Sequence, residues 1–318
     1  MRLPLASQEA GFSSEATRSI WIQPEIRPIK ASMMIRLEGP VVAKHRQIEL
    51  VRKIAALQAI RGRAPGLAVV IVGEDPASQV YVRNKVKTCG TLGIESFHYE
   101  VPATITEAEL IEKVGALNRD PAVDGILVQL PLPRHINSDR VLETILPEKD
   151  PDGLTVGNLG LLFAGRKRVA PCTPWGVMAI LEHYEIPVAG RHVVVVGRSN
   201  IVGKPMAQLM LEANATVTIC HSKTRDLHSH TRLADVVVVA AGQARFLGRE
   251  AFKTGAVVID VGMHRPENGD FKGRLCGDVR FEELEGHVLA ATPVPGGVGP
   301  MTIQMLMENT VRLAELRF

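Results

Sequence analysis

Ser78, Tyr81 and Lys85 stand at i, i+3 and i+7, so a helix over 77–92 sets all three on one face. Tyr81 and Lys85 are one turn apart. There a phenol ring can stack on a flat heterocycle while the amine reaches its reacting atoms. A lysine suits proton transfer where burial disfavours its charged form. The same pair is also common on plain helix surfaces, with the lysine stem packed on the ring. Spacing alone leaves both open. Gln129 lies in the apolar run DGILVQLPLP, where a strand over 124–133 would end. Parallel sheets gather ligands at that end, and a glutamine there needs a hydrogen-bond partner, either a ligand or Lys85. Asp150 and Asp152 sit in the turn-prone segment LPEKDPDGL. A carboxylate there could pair with an amino-pyrimidine edge, or Asp152 could simply form an Asx turn before Gly153.

A second set of residues points to a dinucleotide. In VVVVGRSNIVGKP a buried strand runs into a tight turn at Gly197, and a helix starts near Gly203. Backbone N–H groups and the positive helix end would then face a pyrophosphate. The segment departs from GxGxxG, with Ser199 where the second glycine would stand. A site for NAD wants a carboxylate at the end of the next strand, to accept the ribose hydroxyls. Here that end reads Cys220-His221-Ser222-Lys223-Thr224, with no acid. Arg198, Ser222 and Lys223 instead offer cations and a hydroxyl suited to a 2′-phosphate, which favours NADP. His221, His228 and His230 lack carboxylates at ligand spacing, so no metal site is expected. Cys172 has no His or acid partner set by spacing and reads as a packed small residue.

These residues need α/β scaffolding. Helical spacing over 41–60, a buried strand over 66–73, the 77–92 helix, a strand over 94–101, a helix over 107–118 and the 124–133 strand alternate as a parallel sheet requires. The Pro/Gly/Asp-rich connection over 146–154 breaks the alternation and marks a domain boundary. A helix over 174–184 and strands over 192–197, 215–220, 235–242 and 256–262 follow, then TPVPGGVGP and a closing helix over 301–316. Two α/β domains result, the second Rossmann-type, divided at that connection. Residues 1–33 lack periodicity and read as a leader without fixed structure, with translation from Met33 or Met34 as another reading.

Composition excludes several classes. The 318 residues are 46% hydrophobic and 22% charged, with a net charge of +3. Charges are interspersed without a basic block, so nucleic-acid binding is not expected. No apolar run approaches the roughly 18 residues of a membrane span. Four scattered cysteines without a CxxC pair suit a reducing cytoplasm.

Taken together, YVRNKVKTCGTLGI, VQLPLP, PEKDPDG, PCTPWG, VVGRSNIVGKP, CHSKT, DVG, GDV and TPVPGGVGPMT closely resemble the bifunctional methylenetetrahydrofolate dehydrogenase/methenyltetrahydrofolate cyclohydrolase family, from about Met34 onward. The resemblance implies oxidation of 5,10-methylenetetrahydrofolate with NADP and hydrolysis of the product to 10-formyltetrahydrofolate. A monofunctional dehydrogenase on the same scaffold is the alternative. It implies that Lys85 is the catalytic lysine, Tyr81 stacks on the pterin, Gln129 supports the lysine and Asp152 binds the pterin. Ser78 joins the substrate set, and Pro295, Gly296 and Gly297 border the folate. Arg198, Ser199 and Ser222 become cofactor-phosphate contacts, with Gly197, Ile201, Val202, Lys223 and Thr173 in the same cofactor set. The resemblance further implies a folate cleft between the two domains, a final helix packed back on the first domain, so that residues 34–149 with 295–318 form the first and 150–294 the second, and a homodimer formed through the Rossmann domains. Pro151 departs from the family, which more often has a β-branched residue between the two acids, so a local change of shape is expected there.

Overall fold

The computed structural model describes residues 33–318; the segment read as a leader lies outside them, apart from Met33. The first α/β layer is built on a three-stranded parallel sheet of order β3-β2-β4: β2 (Gly66–Val72), β3 (Glu95–Val101) and β4 (Gly125–Val128). The central strand β2, GLAVVIV, is buried throughout, as an unbroken apolar strand covered on both faces must be. Helices α1 (Gly39–Arg61), α2 (Pro76–Leu92) and α3 (Glu107–Arg119) accompany it. Asp75 caps α2 by accepting from the Ser78 amide at 2.8 Å, and Gly93, at φ 85°, ends it in the left-handed conformation that favours glycine. Thr106 and Glu109 form a reciprocal capping box on α3.

Strand β4 is shorter than the expected 124–133 strand. At its start the Asp124 carboxylate is engaged by Arg61, Arg63 and Arg317 and by the Gly66 amide. Beyond Gln129, Pro131 and Pro133 have no N–H to donate to a ladder. Short helices α4 (Ser138–Thr144) and α5 (Val156–Phe163), not expected from periodicity, flank the connection at 146–154.

The second layer begins with α6 (Cys172–His183) and holds a six-stranded parallel sheet. Its strands are β1 (Ile35–Arg36), β5 (His192–Val196), β6 (Thr216–Cys220), β7 (Val236–Val239), β8 (Val257–Asp260) and β9 (Ala290–Ala291), in the order β1-β9-β8-β7-β5-β6. Four of these were expected. The two-residue strands β1 and β9 are too short to show periodicity. Strand β1 also corrects the assignment of Met34 onward to the first layer alone, since Ile35 and Arg36 pair with Ala290 and Ala291 at the edge of the second sheet. Helices α7 (Gly203–Glu212) and α8 (Leu227–Thr231) connect the strands.

The closing helix α9 (Val298–Leu316) starts within the glycine-rich loop, three residues earlier than expected, and packs against α1 and α6. Met301, Met305 and Leu306 of α9 share one apolar core with Leu50 and Ile54 of α1, Val69 of β2 and Val193 of β5. The two sheets are thus joined through buried side chains. Among the described residues no helix is long and apolar enough to cross a membrane.

Candidate active site

A cavity of about 940 Å³ opens between the α1–α2 face of the first layer and the C-terminal strand ends of the second. Tyr81 and Lys85 enter it from α2, and Pro295, Gly296 and Gly297 border it where α9 begins. Thr173 and Val202 line it from the second layer. The Lys85 ammonium donates to Gln129 Oε1 at 3.0 Å. Gln129 is the first residue past β4, held in place by its own amide on Val70 O at 2.8 Å, while its Nε2 donates to Leu130 O. The structure thus brings Lys85 and Gln129 together.

The two acids of the connection divide their work. Asp150 is buried and accepts from the Gly153 and Thr155 amides at 2.9 and 2.8 Å and from Asn158 Nδ2 at 3.0 Å. It forms the turn. Asp152 is thereby released from that task. Burial pushes its carboxyl above the ordinary value, and the nearby Asp150 adds to the rise, while the Lys85 ammonium opposes it. The Asx turn before Gly153 thus belongs to Asp150, two residues earlier than the sequence suggested. Pro151 sits between them with its carbonyl accepting from Asn309 Nδ2 at 2.8 Å, and its ring lies against Gly125. Cys172 is buried, its thiol directed at Pro151 O at 3.3 Å and pushed well above the ordinary value by burial and by Asp152. It is a packed residue, as expected. Ser78 is also buried, one turn behind Tyr81, and does not line the cavity.

The dinucleotide set is arranged differently. Gly197 has φ 135°, and a Cβ there would stand 2.2 Å from Ala240 O; one on Gly203 would stand 2.3 Å from Gly197 O. Only glycine allows strand, turn and helix to approach so closely. Arg198, Ser199 and Ile201 project from this turn and are exposed, as are Ser222 and Lys223 beyond β6. Ser199 Oγ accepts from the Val202 and Gly203 amides at 3.1 and 3.4 Å, so its oxygen closes the turn while its hydroxyl hydrogen stays available to an anion. Of this set only Val202 and Thr173 reach the large cavity; the others form a rim on the second layer. Thr173 Oγ1 is 3.0 Å from Thr302 Oγ1.

Four residues of this region carried no role in the sequence reading. Tyr81 donates its hydroxyl to Met263 Sδ at 2.7 Å, a contact from α2 to the loop after β8. Asp260, at the end of β8, also lines the cavity and accepts from the Gly262, Asp278 and Val279 amides. Burial pushes its carboxyl up to about 7 against those donations. Asp278 accepts from the Ala241, Gly242 and Gln243 amides and from His264 Nε2 at 2.6 Å. Asp260 and Asp278 fall in the DVG and GDV segments without a role being assigned to either, and Met263 carries no signal at all. Among the described residues no group of His, Cys, Asp and Glu is placed to hold a metal ion.

Comparison with known proteins gives this geometry a family. Residues 37–152 match the tetrahydrofolate dehydrogenase/cyclohydrolase catalytic domain and residues 171–318 the NAD(P)-binding domain of the same family. The chain is 59% identical over 285 residues to the bifunctional protein FolD of Bdellovibrio bacteriovorus, covering 90% of this chain and 98% of that protein. It superposes with a TM-score of 0.86 and 47% identity on the crystal structure of the bifunctional FolD methylenetetrahydrofolate dehydrogenase/cyclohydrolase from Campylobacter jejuni, covering 90% and 100% of the two chains. The Trypanosoma brucei methylenetetrahydrofolate dehydrogenase-cyclohydrolase, solved with NADP cofactor and inhibitor, gives a TM-score of 0.84 at 40% identity, covering 90% and 99%. With both family domains matched in order and relatives of this closeness, the chain belongs to the tetrahydrofolate dehydrogenase/cyclohydrolase family.

Proposed function

We propose that this chain oxidises 5,10-methylenetetrahydrofolate with NADP and hydrolyses the resulting 5,10-methenyl cation to 10-formyltetrahydrofolate. The observation that carries the reading is the Lys85–Gln129 hydrogen bond at the wall of a cavity that also reaches the second layer. NADP fits the turn at Gly197, where two glycines leave room for a pyrophosphate and Arg198, Ser222 and Lys223 stand free for the 2′-phosphate. When bound, it accepts the hydride. The chain's part in that step is orientation: Tyr81 stacks on the pterin and the 295–297 loop closes the other side, and Asp152, close enough to Lys85 for their charges to interact, pairs with its amino-pyrimidine edge. Folate nitrogens stabilise the cation, so no acid is needed.

Hydrolysis does need proton transfer. Water adds to the methenyl carbon and loses a proton; the bond from that carbon to N5 then breaks, N5 taking up a proton while the new hydroxyl gives up its own to become the formyl oxygen, so one proton is released overall. Lys85 is the amine placed to move the proton between these sites, with Gln129 fixing its position. Lys85→Met is expected to abolish hydrolysis and leave measurable NADP reduction. A cofactor-resolved assay with methylenetetrahydrofolate, followed by the decay of methenyl absorbance, checks both steps, and undiminished hydrolysis in the variant would refute the role of Lys85.

The domain bounds in this reading are 34–149 with 295–318 and 150–294, with Ile35 and Arg36 lent to the second sheet. A homodimer through the second domain is supported by the edge position of β6 and by exposed Leu211 and Ile219 beside it. A cytoplasmic location is supported by four buried, unpaired cysteines.

A further inference from the structure

A second groove, of about 750 Å³, lies on the far side of α1 from the active-site cavity, between α1, α9 and the segment leading into α6. Lys44 and Gln47 of α1 line the first cavity, whereas His45, Glu49 and Arg52 line the second, which puts the two on opposite faces of one helix. Arg46, Arg52, Lys53, Lys167, Arg168 and Arg312 surround this groove, against only three carboxylates, Glu49, Glu308 and Glu315. Some of the charge is answered, since Arg46 forms a two-pronged pair with Glu308, Lys53 pairs with Glu49 at 2.9 Å and Lys167 with Glu212 at 2.6 Å. Three arginines are unpaired or only loosely paired. Arg52 makes no ion pair among the described residues, Arg168 Nη1 has no hydrogen-bond partner and stands 3.9 Å from Glu148, and Arg312 reaches Glu315 only at 3.7 Å. Cations collected in a concave site with apolar walls focus a positive potential on an anion. The wall includes the half-buried indole of Trp175, with the Lys167 ammonium 5.7 Å from its ring centre.

We propose that this groove binds a nucleoside polyphosphate, its phosphates on Arg52, Arg168 and Arg312 and its base against Trp175. Guanidinium groups give phosphates paired, charge-assisted hydrogen bonds, and an aromatic face with a cation beside it suits a planar ring. The groove also touches the active site through one residue. Asn309 lies in its wall, buried, and its Nδ2 donates to Pro151 O and Ala170 O at 2.8 Å each. Pro151 adjoins Asp152. A ligand that shifts Asn309 therefore shifts the carboxylate placed to hold the pterin, and occupancy changes KM for the folate more than KM for NADP.

The test uses the full chain carrying Trp21→Phe, which leaves Trp175 as its only indole, with NADP saturating so that the dinucleotide site is filled. Equilibrium dialysis with ATP is expected to show one further nucleotide per chain and quenching of Trp175 fluorescence. Inorganic triphosphate is expected to bind more weakly without quenching, and adenosine not at all. Arg52→Glu with Arg312→Glu is expected to weaken ATP binding by at least about tenfold, the loss of two charge-assisted contacts, with activity in the absence of ATP unchanged. No binding beyond the NADP site, or undiminished binding by the double variant, overturns the proposal. Equal binding of triphosphate and ATP, with no change in fluorescence, overturns the seat for the base.

Discussion

The two halves of the candidate site differ in how far they are finished before anything binds. On the first layer Lys85 is hydrogen-bonded to Gln129, Gln129 is anchored to β2, and Asp150 fixes the turn that presents Asp152. On the second, the glycines fix the backbone of the 197–203 turn, while Arg198, Ser222 and Lys223, the side chains offered to the cofactor, stand exposed. Under the proposed function, the difference follows from what each half does. A group that moves protons has to be placed within a few tenths of an ångström beforehand. Cations that meet a phosphate can stay hydrated until it arrives, because guanidinium and ammonium groups lose little by waiting in water.

The largest effect is expected at the 197–203 turn of the second layer. Gly197→Ala places a methyl against Ala240 O in a conformation that side chains avoid, and is expected to cost about 3 kcal/mol of stability together with NADP binding. Urea unfolding with and without NADP checks it, and a variant as stable as the parent would mean that the turn is not rigid. Gln129→Leu unties the other half. Methenyl hydrolysis is expected to fall by about 100-fold, or about 2.7 kcal/mol, with dehydrogenation much less affected. An equal fall in both rates would show that Gln129 shapes the whole cavity rather than the lysine.

Arg198→Ala sharpens the comparison from the open side. KM for NADP should rise by about tenfold, KM for NAD should not, and the loss should shrink as salt is added, because an exposed contact is screened. The last prediction concerns a second lysine of the first layer. Lys149 is buried, donates to Leu117 O and Asp120 O, and is pushed down to about 8 by burial and by Arg317. Between about 8 and the ordinary 10.5 the unfolded chain therefore holds a proton that the folded chain has released, so stability rises with pH across that window. Lys149→Met should flatten the rise, measured as the difference in unfolding midpoint between pH of about 8 and about 10. An unchanged slope would place the titration elsewhere.

How much of this was legible in the sequence depended on scale. Long periodic or apolar stretches such as GLAVVIV and the 107–118 helix announced themselves, because burial on one or both faces leaves its pattern in every residue. The Lys85–Gln129 pair could be anticipated because a lysine and a glutamine each had a reason to sit at a strand end or on a helix face turned to it. Two-residue strands such as β1 carry no period. The division of labour between Asp150 and Asp152 depended on which carboxylate met the Gly153 amide, a choice the two near-identical settings do not reveal. Met263 was invisible because its role is a contact between distant segments, and nothing local distinguishes it from any apolar loop residue.

The pairing of β1 with β9 has a consequence for how the molecule is made. Ile35 and Arg36 leave the ribosome before either sheet exists, yet their partners, Ala290 and Ala291, belong to the last strand of the chain. That edge of the second sheet stays open through nearly the whole of synthesis, and the cover that α9 lays over α1 arrives later still. The lobes cannot be completed one after the other as beads on a string: both await the final stretch of polypeptide. Severing the gene within the 146–154 connection would yield two fragments, each lacking a piece held by the other.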